Sequence, residues 1–284
     1  MITGRHLRRK IVSRAFVAFC ALAVVSALIP LGFILFFVLR QGISALDLAF
    51  FTQTPKPVGE AGGGMANAMV GTLILLGMAA AMAVPVGILS GIYVSEYRRS
   101  ALASAVRFAA DVLNGVPSIV IGIFAYSLAV LPFKRFSAFS GSLALGIMMI
   151  PIIIRTTEEL LTLVPASLRE GSMALGATRA GTVFRVILPA ALPGILTGVL
   201  VALARIAGET PPLLFTSFNN RYWSTRLDQP MASLTVQVYT YAISPYDDWH
   251  RQAWAGATVL IASVLVFSIL SRWATRRLER MHQP

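Results

Sequence analysis

The chain has 284 residues, of which 56% are hydrophobic and only 13% are charged. A soluble domain carries about 25% charged residues, so this composition excludes an ordinary soluble fold. The net charge of +12 would suit a nucleic-acid-binding protein, but in so apolar a chain it is better explained by the excess of Lys and Arg in the inner loops of membrane proteins.

Six continuous apolar segments predict an all-α, polytopic membrane protein with six transmembrane helices. Each segment can cross a hydrocarbon core of about 30 Å, and none alternates as a barrel strand would. The first segment is too long for the apolar region of a signal peptide, so we expect it to be retained. The predicted spans are Phe16–Leu39, Asn67–Val94, Leu102–Leu131, Gly141–Leu163, Ala191–Thr216 and Ala253–Trp273.

Lys and Arg predict the orientation in the membrane. They are twice as frequent in the terminal segments and the second-to-third and fourth-to-fifth connections as in the remaining connections. Because the richer side faces the cytoplasm, both termini should be cytoplasmic. We divide the chain into residues 1–66, with a basic segment, the first span and an outer loop, and residues 67–284, a five-span core with a cytoplasmic loop at 164–190.

The third span contains a break. Its sequence Asn-Gly-Val-Pro-Ser combines a glycine with a proline, which removes a backbone donor and interrupts a helix. Gly115, Pro117 and Ser118 are therefore candidate gate residues.

Pairs of glycines four residues apart predict close approach of neighbouring helices. These pairs are Gly87 with Gly91 and Gly194 with Gly198.

Several ionisable residues lie within or at the ends of the spans. Such a residue near the bilayer centre costs about 2.5–3.5 kcal/mol, so it usually faces a partner or an aqueous path. Arg107 and Asp111 are four residues apart, which favours a local ion pair. Arg155, with Glu158 and Glu159, is a second cluster for which we favour a structural role.

Arg205 and Glu209 are the most informative ionisable pair. Their spacing places both on one face of a helix, which Pro211 and Pro212 should then break or kink. A cation beside a broken helix suits an anion site, whereas a salt bridge that joins two spans would require the same residues. The residues alone leave both interpretations open.

Other chemistry is poorly supported. The sequence has no G-x-x-x-x-G-K-[ST] phosphate loop and no His or Cys spacing typical of a metal site. The three histidines lie outside the predicted spans, and the single cysteine, Cys20, allows no disulfide within the chain. We therefore expect no enzyme activity, metal or cofactor on this chain.

The polar loop between the fourth and fifth spans carries a spaced motif. Glu170, Gly171 and Ser172 are followed by Gly176, and nine residues later by Val-Ile-Leu-Pro at 186–189. This loop resembles the EAA loop of ABC importer permeases, with pattern Glu-Ala-Ala, three residues, Gly, nine residues and Ile-x-Leu-Pro. In those permeases the loop docks on an ATPase. The resemblance implies a coupling role for Glu170, Gly171, Ser172, Gly176, Leu188 and Pro189, and the glycines at 176 and 181 predict an interrupted helix pair.

Four segments resemble the PstA-type phosphate permeases more closely. They are residues 115–122, the EAA loop, residues 205–216, and residues 229–234 together with 242–245. The Gly-Glu-Thr-Pro-Pro block from Gly208 is the most specific, although Pro211 stands where the family usually has Ala. The resemblance runs from about Asn67 to the C-terminus. It implies a type I ABC importer permease fold and a role for Arg205, Glu209 and Thr210 in binding phosphate.

The resemblance also implies an assembly in the cell inner (plasma) membrane. This chain would pair with a homologous PstC-type permease, with two PstB-type ATPase subunits that bind ATP and Mg, and with a PstS-type phosphate-binding protein. Three alternatives stay open: a permease for sulfate or molybdate, a secondary anion transporter with its own ion coupling, and a signalling partner that reports phosphate status to a kinase.

Overall fold

The computed structural model describes residues 3–60 and 62–282, and within those residues it contains helices and no strand. The predicted all-α class is therefore confirmed. Five helices are long. They are α1 (Thr3–Ile43), α3 (Ala66–Glu96), α7 (Ala138–Leu163), α10 (Leu188–Ile206) and α13 (Asp247–His282).

Shorter helices connect or extend the long ones. They are α2 (Leu48–Thr52), α4 (Ala101–Gly115), α5 (Ser118–Ala125), α6 (Leu131–Phe133), α8 (Ala166–Ala174), α9 (Arg179–Thr182), α11 (Pro211–Leu214) and α12 (Leu234–Ala242). Two π-helical turns, Tyr126–Val130 and Val183–Ile187, join α5 to α6 and α9 to α10.

Five helical stretches among the described residues are long and apolar enough to cross a membrane singly. A sixth span requires α4 and the stretch Ser118–Phe133 together, which are bent by 110° at the break between them. Counted in this way the structure has the six predicted spans. The single stretches are Arg8–Ile43, Ala66–Glu96, Ala138–Leu163, Arg179–Ile206 and Asp247–Ile269.

The predicted break in the third span is confirmed, whereas the fifth predicted span needs correction. The third, Leu102–Leu131, is a sharply bent pair of helices, because Pro117 has no amide hydrogen to continue the ladder of α4. The fifth begins at Arg179 and ends at Ile206, so the predicted segment Ala191–Thr216 extends past the end of the helix.

Helix α7 occupies the centre of the core and packs most extensively on α3. The paired glycines lie where α3 and α10 approach it. A Cβ added to Gly87, Gly91, Gly194 or Gly198 would come within 2.3–3.0 Å of an α7 side chain, and the closest approach is from Gly198 to Thr156. The predicted close helix packing is confirmed, since only hydrogen leaves room at these contacts.

Candidate coupling segment and translocation site

The coupling segment, residues 164–190, contains two short helices joined by a glycine turn. Gly176 ends α8 with a φ of +86°, in the left-handed region that favours glycine, and its amide donates to the Met173 carbonyl at 3.0 Å. Thr178 then begins α9, where its hydroxyl accepts the Gly181 amide at 3.1 Å. The predicted interruption is therefore correct at Gly176. It is wrong at Gly181, which lies inside α9.

The turn presents an apolar side chain to solvent. Leu175 is 91% exposed, and the predicted contact residues Glu170, Gly171 and Pro189 are also exposed. Sequence reasoning missed Leu175, although a leucine beside a turn glycine on a polar loop was a usable signal. An exposed leucine at a turn is suited to a pocket on a soluble partner.

The two arms of the segment are tied together and to the core. Ser172 Oγ lies 3.0 Å from Thr182 Oγ1, so Ser172 joins α8 to α9 and is only half exposed. Arg169 forms a salt bridge with Glu96 at the end of α3, a contact that the sequence did not reveal. The segment is therefore positioned by polar contacts, while its turn stays free.

The segment continues directly into α10. Leu188 and Pro189 are the first two residues of this helix, which continues without a break from the π-helical turn Val183–Ile187. Leu188 is half-buried. The coupling segment is therefore continuous with the base of α10.

Helix α10 ends between Arg205 and Glu209, the candidate anion-binding pair. Arg205 is exposed in its last turn, whereas Glu209 lies beyond the helix end and is half-buried. The described residues contain no salt bridge between these two side chains. The expected arrangement on one helical face is wrong because α10 ends at Ile206, before the prolines; Pro211 instead begins α11.

The chain after α10 is held by backbone contacts. The Glu209 carbonyl accepts a hydrogen bond from Thr235 Oγ1 of α12 at 2.9 Å, and the half-buried Thr210 caps α11 through its carbonyl, which accepts the Leu213 amide at 3.1 Å. Residue Thr235 was not foreseen as a partner. The carbonyls of Glu209 and Thr210 are thereby satisfied within the protein, as a membrane environment requires.

The two broken spans contact each other. A Cβ added to Gly122 of α5 would lie 2.7 Å from Pro212 Cα of α11. The candidate gate residues Gly115 and Pro117 lie at the exposed break that begins α5, and Ser118 is its first residue. The structure therefore brings the bend of the third span against the segment that follows Arg205.

The remaining intramembrane charges form a network between α4 and α7. Arg107 binds Glu158 at 2.7 Å, and Arg155 binds both Glu158 at 2.9 Å and Asp111 at 3.0 Å. The predicted local pair of Arg107 and Asp111 is wrong, since each carboxylate is taken by an arginine across the helix interface or on α7. Glu159 is exposed and forms no salt bridge among the described residues.

The structure has interrupted helices around a central helix and an exposed coupling segment. This arrangement is typical of the membrane-spanning permease of an ABC importer. The family model described as binding-protein-dependent transport system inner membrane component matches residues 83–281. The fold matches a bacterial alginate ABC transporter, solved with an alginate pentasaccharide-bound periplasmic protein, at a TM-score of 0.66 and 14% identity over 95% of this chain and 97% of that one.

Two curated relatives narrow the assignment. The phosphate transport system permease protein PstA of Yersinia pestis is 46% identical over 84% of this chain and 81% of its own length. The protein of the same name from Haemophilus influenzae is 42% identical over 96% and 98%. The chain belongs to the PstA family of phosphate transport system permease proteins.

Proposed function

We propose that the chain is one of two membrane subunits of an ATP-driven importer of inorganic phosphate in the cell inner (plasma) membrane. The observation that carries the proposal is a continuous connection: α10 starts at the exposed coupling segment and ends at Arg205. The names of the PstA relatives supply the substrate, and the exposed Leu175 supplies a docking point for an ATPase.

ATP hydrolysis belongs to separate subunits in this proposal. The 284 residues contain no phosphate loop of the Walker type, so ATP that drives transport would be bound by a partner. Each of two ATPase subunits would bind ATP and Mg and contact one permease. On this chain the contact would be made by the turn at Gly176 and by Glu170, with Leu188 transmitting the motion into α10.

A second permease completes the translocation path. Arg205 is exposed although it lies at the end of an apolar span, and a guanidinium exposed to lipid is unfavourable. Gly115 and Pro117 are exposed as well. A homologous permease that covers this side would enclose both sites in an aqueous path, and a phosphate-binding protein would deliver substrate from the outer face.

Arg205 is the residue proposed to contact phosphate. Its planar guanidinium donates two parallel hydrogen bonds to a phosphate, which a lysine cannot do. Because no described carboxylate forms a salt bridge with Arg205, its positive charge is available to an anion. The Thr210 hydroxyl can donate a further hydrogen bond, and the carboxylate of Glu209 would limit the affinity so that phosphate leaves.

The test first identifies the partners by co-purification and then measures transport by the purified complex. The tagged full-length chain should co-purify with an ATPase and a second permease, and the complex in proteoliposomes should take up labelled phosphate only with ATP and the binding protein. Excess sulfate or molybdate should not compete. Uptake by the chain alone without ATP would identify a secondary transporter, and competition by sulfate would reassign the substrate.

A further inference from the structure

A cavity of about 620 Å³ lies where the turn between α3 and α4 meets the coupling segment. Four arginines line it, and Glu96 is the one carboxylate among the described residues of its wall. The arginines are Arg98, Arg99, Arg169 and Arg179. The cavity is separate from Arg205, which lies at the far end of α10.

The positive charge of this cavity is not balanced. Glu96 is engaged by Arg169, and Arg98 donates to neutral acceptors, the Ser95 carbonyl at 3.2 Å and the Thr162 hydroxyl at 2.7 Å. Within the described part of the chain, Arg99 and Arg179 form no salt bridge. Arginines gathered around one cavity repel each other unless an anion lies between them.

A buried hydroxyl also lacks a partner at this place. Ser95 is 4% exposed and lines the cavity, and its Oγ makes no hydrogen bond to the described residues. Buried hydroxyls are normally satisfied, so this unpaired donor beside the arginines is available to an acceptor that enters the cavity. This observation is independent of the charge imbalance.

We propose that this cavity binds a phosphate-type anion, either free inorganic phosphate or the phosphodiester headgroup of an anionic lipid. Arginines bind phosphate oxygens in pairs, and basic pockets at the inner membrane surface bind anionic headgroups. Ser100 and Ala166, at the starts of α4 and α8, also line the cavity, and helix N-termini favour anions.

The anion would connect the coupling segment to the core. Arg99 belongs to the turn after α3, whereas Arg179 begins α9 of the coupling segment. An anion held by both would fasten the coupling segment to the core, next to the salt bridge that Arg169 already makes. The proposal concerns a binding site and does not depend on which solute the permease transports.

The test uses the full-length chain with Arg205→Gln, which weakens any phosphate binding in the translocation path. It is reconstituted in phosphatidylcholine nanodiscs, and its melting temperature is measured by tryptophan fluorescence with inorganic phosphate, with equal ionic strength of chloride, or with phosphatidylglycerol added to the bilayer. We expect phosphate or phosphatidylglycerol to raise the melting temperature. The response identifies which source supplies the anion.

Two double variants decide the location. R99Q with R179Q should lower the affinity for the anion about tenfold or more, because charge-assisted hydrogen bonds are lost. This double variant should therefore abolish the rise in melting temperature. R8Q with R9Q, which removes the same charge from exposed positions of α1, should keep it. Native mass spectrometry of bound phosphate or lipid provides a second readout on folded protein. The proposal is overturned if neither anion raises the melting temperature, or if both double variants show the same rise. The arginines would then be assigned to binding an acidic protein partner.

Discussion

Replacement of Leu175 by alanine tests the coupling segment directly. The side chain is 91% exposed in the isolated chain, so the substitution should change the free energy of unfolding by no more than about 0.5 kcal/mol. If the side chain is buried in a pocket of the ATPase, its loss should cost about 2 kcal/mol of binding free energy. That cost corresponds to an affinity roughly 30-fold lower.

The assay is biolayer interferometry between the co-purifying ATPase and the permease in nanodiscs. The matched control is Leu48→Ala, since Leu48 is 79% exposed in α2 and lies in the loop predicted to face the opposite side. The control should bind the ATPase as the unmodified chain does. Equal dissociation constants for the two variants would refute docking through Leu175.

Three further predictions concern single substitutions. Gly176→Val forces a β-branched residue to a φ of +86°, so it should destabilise the turn by about 1–3 kcal/mol and uncouple ATP hydrolysis from uptake in proteoliposomes; unchanged coupling would argue against the turn. Arg205→Gln should lower phosphate uptake about tenfold or more, with Arg205→Lys intermediate, and wild-type uptake by the glutamine variant would remove Arg205 from the site. Glu158→Gln loses the charge shared by two arginines and should lower the free energy of unfolding by about 1–3 kcal/mol in a urea titration, whereas the exposed Glu159→Gln should not; equal effects would contradict the network.

Sequence reasoning succeeded where one local rule decides the structure. Glycines four residues apart predicted helix contacts, because only a hydrogen fits at the 2.3–3.0 Å approaches seen against α7. Of the two glycines predicted to interrupt the helix pair, Gly176 does so, because it adopts a conformation that disfavours other residues, whereas Gly181 lies inside α9. In both cases the backbone itself dictates the residue type.

It failed where packing chooses between local options. The spacing of Arg107 and Asp111 permits an ion pair on one helix. In the structure, however, Arg107 binds Glu158 of α7 and Asp111 binds Arg155 of α7. The break in the third span was predicted from Gly115 and Pro117, but its angle of 110° was not, since a proline interrupts a helix without fixing the direction of the next one. Neither the ion-pair partners nor the angle could follow from spacing within a single segment.

The end of α10 was missed for a related reason. An i, i+4 argument for Arg205 and Glu209 presumes that the helix continues to Glu209. Gly208 lowers the helix propensity there, and Pro211 and Pro212 have no amide hydrogens to continue the helical ladder, so the helix ends at Ile206. The predicted break therefore lies between Arg205 and Glu209, upstream of the prolines that predicted it.

The arrangement of α10 explains how a soluble ATPase could act on a site within the membrane. Its 19 residues span about 28 Å, from the coupling segment to Arg205. A π-helical turn, Val183–Ile187, lies at its base, and Gly198 lets it cross α7 at close range. Since packed helices shift as rigid bodies while irregular turns adjust, we infer that motion of the coupling segment is carried along α10 and delivered at its broken end. There, Pro212 contacts the bent third span through Gly122, so the arginine and the candidate gate would move together.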